Sequence, residues 1–250
     1  MDALLLRNLW TARRPDPERQ PADVIWTIDQ TGFRSLLTEE ELRDLAVICP
    51  PRPLRKGEAV YRVGDPADHF FLLLGGQVKL SLPLPKGQRI LRVAVPDDIF
   101  GESFLTDARQ RHTEATCLSE PAMVCPVSRE QWLEVARRRP RILTVFSSLL
   151  ASRLADLERR LAEDHRPLEQ RLARSLLGLT YRLGRDLGDG SSALELDLTQ
   201  EELGALIGAA RVSTTELLSR WRQRGILSGT RGRYRVDVSA LRQVARSDSD

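Results

Sequence analysis

The sequence predicts an α+β chain: an N-terminal β-barrel of jelly-roll type, then a long helix, then a C-terminal winged helix-turn-helix. Three observations carry that expectation. Between residues 52 and 128, β-compatible runs recur roughly every 8–12 residues, the spacing of a sandwich or barrel. From Leu143 the apolar residues switch to helical spacing. From Thr199 a capping box, a turn of small residues and a second helix stopping at Gly225 follow in order, and glycine-spaced arginines come after them.

The elements follow in chain order. Residues 1–24 read as a flexible tail, because Arg13–Pro21 is charged and proline-rich. Thr38-Glu39-Glu40-Glu41 is a capping box opening a short helix that ends near Cys49-Pro50. Six strands are expected at 59–63, 69–74, 77–82, 89–95, 112–118 and 122–127, separated by Gly64-Asp65-Pro66, Gly75-Gly76, Pro85-Lys86-Gly87 and Pro96-Asp97-Asp98. A short helix begins after Ser128, with Trp132, Leu133 and Val135 inward, and Pro140 restarts the chain. Leu143, Phe146, Leu150, Leu154, Leu157 and Leu161 then fall at spacings of 3, 4, 4, 3 and 4, close to a coiled-coil seam. Such a stripe can also pack on its own barrel. A helix of about 25 residues, roughly 37 Å long, overhangs a small barrel, which favours a dimer seam. His165-Arg166-Pro167 ends it. A further helix covers 168–183, and 184–192 reads as a polar loop. The expected domains are the tail 1–24, a sensor barrel 25–138, a dimerisation helix 139–165 and a DNA-binding domain 166–250.

Charge placement is more informative than total charge. The chain of 250 residues has a formal charge of +3, yet Arg211–Arg246 holds nine arginines against Glu216 and Asp237, a local +7. A basic C-terminal segment on a near-neutral body suits a nucleic-acid binder. The longest nearly pure apolar run, Phe70–Gly76, is far too short to span a bilayer. The first residues lack a basic region ahead of their apolar patch, so no secretory signal is expected and the chain reads as cytoplasmic. Cys49, Cys117 and Cys125 are odd in number and far apart in sequence, with no CxxC, so neither a zinc ribbon nor an iron–sulfur cluster is expected. No Walker loop, GxSxG, HExxH or metal-ligand cluster supports catalysis.

In the helix-turn-helix, Thr199 caps the first helix and Glu202 sits at its third position. Leu203, Leu206, Ile207, Leu217 and Leu218 supply the core. Arg211, Val212, Ser213 and Glu216 stand where a recognition helix presents base-reading residues. Arg211 suits guanine or a phosphate, and Val212 suits a thymine methyl or the turn's own packing. Glu216 suits a cytosine amino group or plain solvent. Thr199, Gln200 and Arg220 flank this row, and Arg231, Arg233 and Arg235 alternate along an expected β-hairpin wing beside the phosphates. Trp221 reads as core, since a duplex reader needs no stacking platform.

This order of parts resembles the CRP/FNR family of bacterial transcription regulators, over about residues 34–240. The residues carrying the resemblance are Gly57, Gly64, Leu74-x-Gly76-x-Val78, Gly87, Asp98-Ile99-Phe100-Gly101-Glu102, Arg111, Leu198-Thr199-Gln200-Glu201-Glu202-Leu203 and Ile207-Gly208-x-x-Arg211. The resemblance implies a cyclic-nucleotide-binding-type barrel, a homodimer, and a palindromic operator with half-sites about 10 bp apart. It also implies RNA polymerase as a partner if the protein activates, with the 184–192 loop as the touching segment. The family's phosphate-binding cassette falls on Gly101-Glu102-Ser103 and Arg111-His112-Thr113. By resemblance Glu102 binds a ribose hydroxyl and Arg111 the cyclic phosphate. Three departures disfavour cyclic AMP: His112 replaces a small hydroxyl residue, and the adenine-contacting positions of the long helix fall on Leu157 and Glu158. Haem is also disfavoured, because His69, His112, Cys49 and Cys117 suit it by residue type only. The effector is therefore unknown or absent. The family's Arg-Glu-x-x-x-Arg pattern reads here Arg211-Val212-Ser213-Thr214-Thr215-Glu216, so the operator should differ from TGTGA. The rival expectation is a cyclic-nucleotide or haem sensor module acting through protein or RNA contacts. No membrane partner is expected.

Overall fold

The computed structural model describes residues 32–107, 109–162, 164–230 and 232–246. The expectations for the 1–24 tail and for Arg231 lie outside them. The described residues fall into two compact units, 32–82 with 93–156 and 83–92 with 157–246.

The first unit opens with a 3-10 turn, Phe33–Leu36, and helix α1, Glu39–Ile48, whose Thr38 capping box forms as the sequence predicts. Eight strands follow in chain order: β1 Arg52–Leu54, β2 Ala59–Tyr61, β3 His69–Gly75, β4 Val78–Pro83, β5 Gln88–Ala94, β6 Ile99–Phe100, β7 Glu114–Cys117 and β8 Ala122–Ser128, with residues 88–92 of β5 counted in the second unit. They form two sheets, ordered β1-β8-β3-β6 and β2-β7-β4-β5, which do not join into one closed barrel. Strand β1 escaped the sequence reading because Pro53 weakens its signal. It lies at a sheet edge, where proline is tolerated. Helices α2, Arg129–Arg138, and α3, Arg141–Ala162, complete the α-helical layer.

Strand β3 explains the longest apolar run of the sequence. Alternate residues leave opposite faces of a strand. Phe71 and Leu73 join Tyr61, Val78, Leu80 and Phe100 in a core drawn from both sheets. Phe70, Leu72 and Leu74 face the other way, into a second core with Leu42, Leu45, Trp132, Val135 and Phe146 from the helices. Covered on both faces, β3 cannot alternate with polar residues. Its partner β8 sets the register, with Phe70 opposite Val127 and Leu72 opposite Cys125.

One expectation for this unit is corrected. Leu133 is 43% exposed and not inward, because Trp132, Val135 and Ala136 already fill the buried face of α2. The cysteines far apart in sequence include a spatial pair, since Cys49 and Cys125 are bonded, with their Cα atoms 5.4 Å apart.

The second unit contains α4, Leu168–Leu183, whose predicted stripe Leu172, Leu176 and Leu179 is buried. It packs chiefly on the last helix, α7, Val238–Arg246. Between them lie β9 Arg185–Asp186, β10 Ser191–Glu195, α5 Gln200–Ile207, α6 Arg211–Gln223, β11 Leu227–Thr230 and β12 Arg233–Asp237. The sheet order is β11-β12-β10-β9. The segment 184–192, expected as a loop, is thus largely a β-hairpin. Its strand character is supplied by pairing, with Ser191 opposite Asp237 and Leu194 opposite Tyr234. Among the described residues no helix is long and apolar enough to cross a membrane.

Candidate nucleic-acid interface and effector pocket

Helix α6 is sorted cleanly by burial. Thr214, Leu217, Leu218 and Trp221, at i, i+3, i+4 and i+7, are all buried at 0% exposure. Arg211, Val212, Ser213, Thr215, Glu216 and Arg220 occupy its exposed face. Val212 is 67% exposed, so packing within the turn does not account for it. Leu203, Leu206 and Ile207 of α5 close the core from the other side.

Local chemistry holds this face in place. Thr199 Oγ1 accepts from the Glu202 backbone N–H at 3.1 Å, and Glu202 Oε2 accepts from the Thr199 N–H at 2.9 Å. The Thr199 hydroxyl is thereby engaged in its cap. Thr215 Oγ1 lies 2.9 Å from Gln200 Oε1 and 2.9 Å from the Arg211 carbonyl, so Thr215 links the two helices at the exposed surface. Trp221 Nε1 donates to Glu169 Oε1 at 2.7 Å, which satisfies the one polar atom of a buried indole. Arg222 Nε donates to the Gly229 carbonyl at 3.2 Å, tying the recognition helix to the wing.

The close helix crossing rests on a residue that sequence reading passed over. A Cβ on Gly204 would stand 2.7 Å from the Ala209 carbonyl oxygen and 3.0 Å from Thr214 Oγ1. The sequence signal was present as a glycine inside a helix, a pattern that marks close backbone approach. Gly204→Val should destabilise the protein by about 1–3 kcal/mol through overpacking. Thermal denaturation followed by circular dichroism checks this, and an unchanged midpoint would remove the close-approach role.

The wing forms as β11 and β12, with Thr230 opposite Arg233. Arg233 is exposed. Arg235, expected beside the phosphates, is exposed and has partners within its own unit. It ion-pairs with Asp189, and its Nε donates to Ser191 Oγ at 2.9 Å. Hydrogen bonds from Ser191, reinforced by the Arg235 charge, hold the Asp189 carboxyl below its usual range.

In the first unit Gly101, Glu102, Ser103 and Arg111 come together. Arg111 is 2% exposed, and its guanidinium lies over the Tyr61 ring at 4.4 Å. Nη1 donates to the Gly101 carbonyl at 2.8 Å and to Ser103 Oγ at 3.2 Å, while Nη2 donates to the His69 carbonyl. Burial lowers the pKa of this guanidinium, which stays protonated all the same. A Cβ on Gly101 would meet Nη1 at 3.1 Å, so the glycine makes room for the arginine. Glu102 is ion-paired with Arg153 of α3, which also reaches Asp98 at 4.0 Å. Sequence reading missed this arginine because it stands 51 positions from Glu102. His112 is exposed beside the cluster. Leu157 and Glu158 belong to the second unit and are exposed on α3.

The stripe on α3 divides. Leu143, Leu154, Leu157 and Leu161 are 43%, 58%, 46% and 72% exposed. Leu150 is partly buried against the helical core. Phe146 is corrected as a seam residue. It is 2% exposed, with the Trp132 ring 4.7 Å and the Phe70 ring 5.4 Å away, so its side chain belongs to the unit's own core. The four residues of haem-compatible type are not gathered. His69 Nδ1 lies 2.7 Å from Asp68, His112 is exposed, Cys49 bonds Cys125, and Cys117 donates to the Ser119 carbonyl from the other core. Among the described residues no cluster of three or more His, Cys, Asp or Glu side chains could hold a metal ion.

Comparison with known proteins agrees with this geometry. Residues 51–139 match the cyclic nucleotide-binding domain, and residues 170–244 match the Crp-like helix-turn-helix domain. A CRP-like cAMP-activated global transcriptional regulator of Mycobacterium tuberculosis is 31% identical over 177 residues, 70% of this chain and 78% of the relative. The cyclic AMP receptor protein of Thermus thermophilus is 30% identical over 213 residues, 84% of this chain and 93% of the relative. The structure of FixK2 from Bradyrhizobium japonicum superimposes with a TM-score of 0.69 at 21% identity, covering 81% of this chain and 100% of that one, which supports the fold. With a nucleotide-binding-type sensor joined to a helix-turn-helix, and regulators rather than enzymes as its relatives, this chain is a DNA-binding transcription regulator of the CRP/FNR family.

Proposed function

We propose that the protein acts as a homodimer on a palindromic operator that differs from TGTGA. One observation carries the reading. The exposed face of α6 presents Arg211, Val212, Ser213 and Glu216 together, with the buried face opposite them fully packed. Arg211 suits the O6 and N7 acceptors of guanine, Val212 a thymine methyl, and Glu216 a cytosine amino group. Gln200, Arg220 and Arg233 stand beside them for phosphates, and Arg231, outside the described residues, is proposed for the same role from its sequence position alone. Thr199, its hydroxyl engaged in the cap, offers backbone rather than side chain. The leucines exposed on α3 supply the apolar seam for a second copy. Each dimer then places two recognition helices in successive major grooves. RNA polymerase is the further partner if the protein activates transcription.

In our reading cyclic AMP is not required. The residues that would take its ribose and phosphate are already engaged: Glu102 by Arg153, and Arg111 by the Gly101 and His69 carbonyls. The names of the two relatives favour the second reading, a cyclic-AMP-dependent switch.

The test is selection of bound duplexes from a random library, without ligand and with cyclic AMP. A palindrome distinct from TGTGA, recovered without ligand, is expected. A palindrome only with cyclic AMP would establish the second reading. On the selected site Arg211→Ala should weaken binding about 5- to 150-fold, the value of one bidentate guanine contact. It should also relax the preference at one base pair in each half-site. Equal weakening on every sequence would make Arg211 a phosphate contact instead.

A further inference from the structure

We infer that Cys49 and Cys125 form a reversible thiol–disulfide pair, through which the redox state of the surroundings sets the stability of the sensor unit. Cys49 caps the C-terminal end of α1, and Cys125 lies in β8, 76 positions later. Their Cα atoms are 5.4 Å apart, within the range a disulfide spans without moving the backbone. The third cysteine, Cys117, is buried as Cys49 and Cys125 are, but in the other core, where it donates to the Ser119 carbonyl at 3.2 Å, so it is not a partner of either.

The site also suits the reduced state. Cys125 Sγ lies 3.3 Å from the Cys49 carbonyl oxygen, and Cys49 Sγ lies 3.6 Å from the Pro126 carbonyl oxygen. In this bonded arrangement each sulfur thus has a backbone carbonyl near it, which can accept from its thiol once the bond opens. A DNA-binding regulator works where the DNA is, and that compartment keeps thiols reduced except where a disulfide is catalytic or redox-sensing. A pair that accommodates both forms, in a protein of that compartment, fits the sensing class rather than a permanent staple.

Closure stiffens a particular junction. Gln131 Nε2 of α2 donates to the Ile48 carbonyl at 3.0 Å, so the end of α1 already meets the start of α2. The disulfide adds a covalent link from that point to β8, whose last residue, Ser128, caps α2. With a peroxide as oxidant the step balances. One thiolate attacks the peroxide to give a sulfenic acid and release hydroxide. The second thiol then displaces water to form the S–S bond. Two electrons pass from the two sulfurs to one hydrogen peroxide, and both thiol protons end in water.

The test uses the full chain and does not depend on DNA. The reduced protein is exposed while folded to hydrogen peroxide, quenched, unfolded and alkylated. The titratable thiols should fall from three to one, with Cys49 and Cys125 cross-linked in the peptide map. The melting midpoint should rise on the order of 5–15 °C. Dithiothreitol added to the folded protein should restore three thiols and the lower midpoint within hours. Cys117→Ser should preserve this cycle, whereas Cys49→Ser and Cys125→Ser should abolish it. Three thiols remaining after peroxide, a cross-link through Cys117, or a bond that dithiothreitol leaves closed in the folded protein would each overturn the inference.

Discussion

Replacing Leu154 and Leu161 together by glutamate should turn the proposed dimer into a folded monomer and weaken operator binding at least about 100-fold. These are the two most exposed leucines of α3, at 58% and 72%, and they lie on one helical face, two turns apart. Fully burying a leucine side chain contributes about 1.5–3 kcal/mol. In a symmetric dimer each substitution acts twice, and the introduced carboxylates would face their own copies across the two-fold axis. In the monomer both positions already face water, so circular dichroism should show the helix content unchanged, while the melting midpoint falls only by the stabilisation that dimerisation supplied. Sedimentation would show the mass halved. Affinity falls because one recognition helix reads only one half-site, and the second contact is no longer intramolecular. A double variant that remains dimeric would remove the α3 seam from the proposal.

Phe146→Ala should have the opposite profile, costing about 3–5 kcal/mol of stability, with the midpoint falling on the order of 10 °C. Phe146 sits on the same helix and in the same sequence stripe, yet its ring is enclosed by Trp132, Phe70, Phe33 and Phe104 at centroid distances of 4.7, 5.4, 6.1 and 6.2 Å. Truncation removes those edge-on and tilted contacts and leaves a cavity among rings too large to close it. The mass of the assembly should not change at temperatures where the variant is folded. Urea denaturation and sedimentation together separate the two variants: one loses the assembly and keeps the fold, the other loses fold stability and keeps the assembly. A Phe146→Ala protein as stable as its parent would mean that the aromatic cluster repacks.

Much of this was legible in the chain. Capping boxes at Thr38, Ser128 and Thr199 state three helix starts by local chemistry, and each forms where it is written. The 3-4-4-3-4 leucine spacing fixes a helix without saying which neighbour each leucine meets. The exposed row on α6 was readable for the same reason: positions 214, 217, 218 and 221 must share a face, which leaves 211, 212, 215 and 216 on the other. Strand pairing was less legible. Ser191–Glu195 has weak intrinsic strand character and becomes β10 by lying between β9 and β12.

The sequence by itself therefore determined most of the order of elements, the family, and the exposed row of α6, because these depend on caps, periodicity and motifs confined to a few neighbouring residues. Only the tertiary structure decided that Phe146 faces the core, that Arg153 meets Glu102, that Arg235 is taken by Asp189, and that Cys49 meets Cys125. Each of these contacts joins residues 46 to 76 positions apart, or places one helix face against a particular sheet. Such encounters are set by how layers pack. Neither residue carries a local signal of its partner.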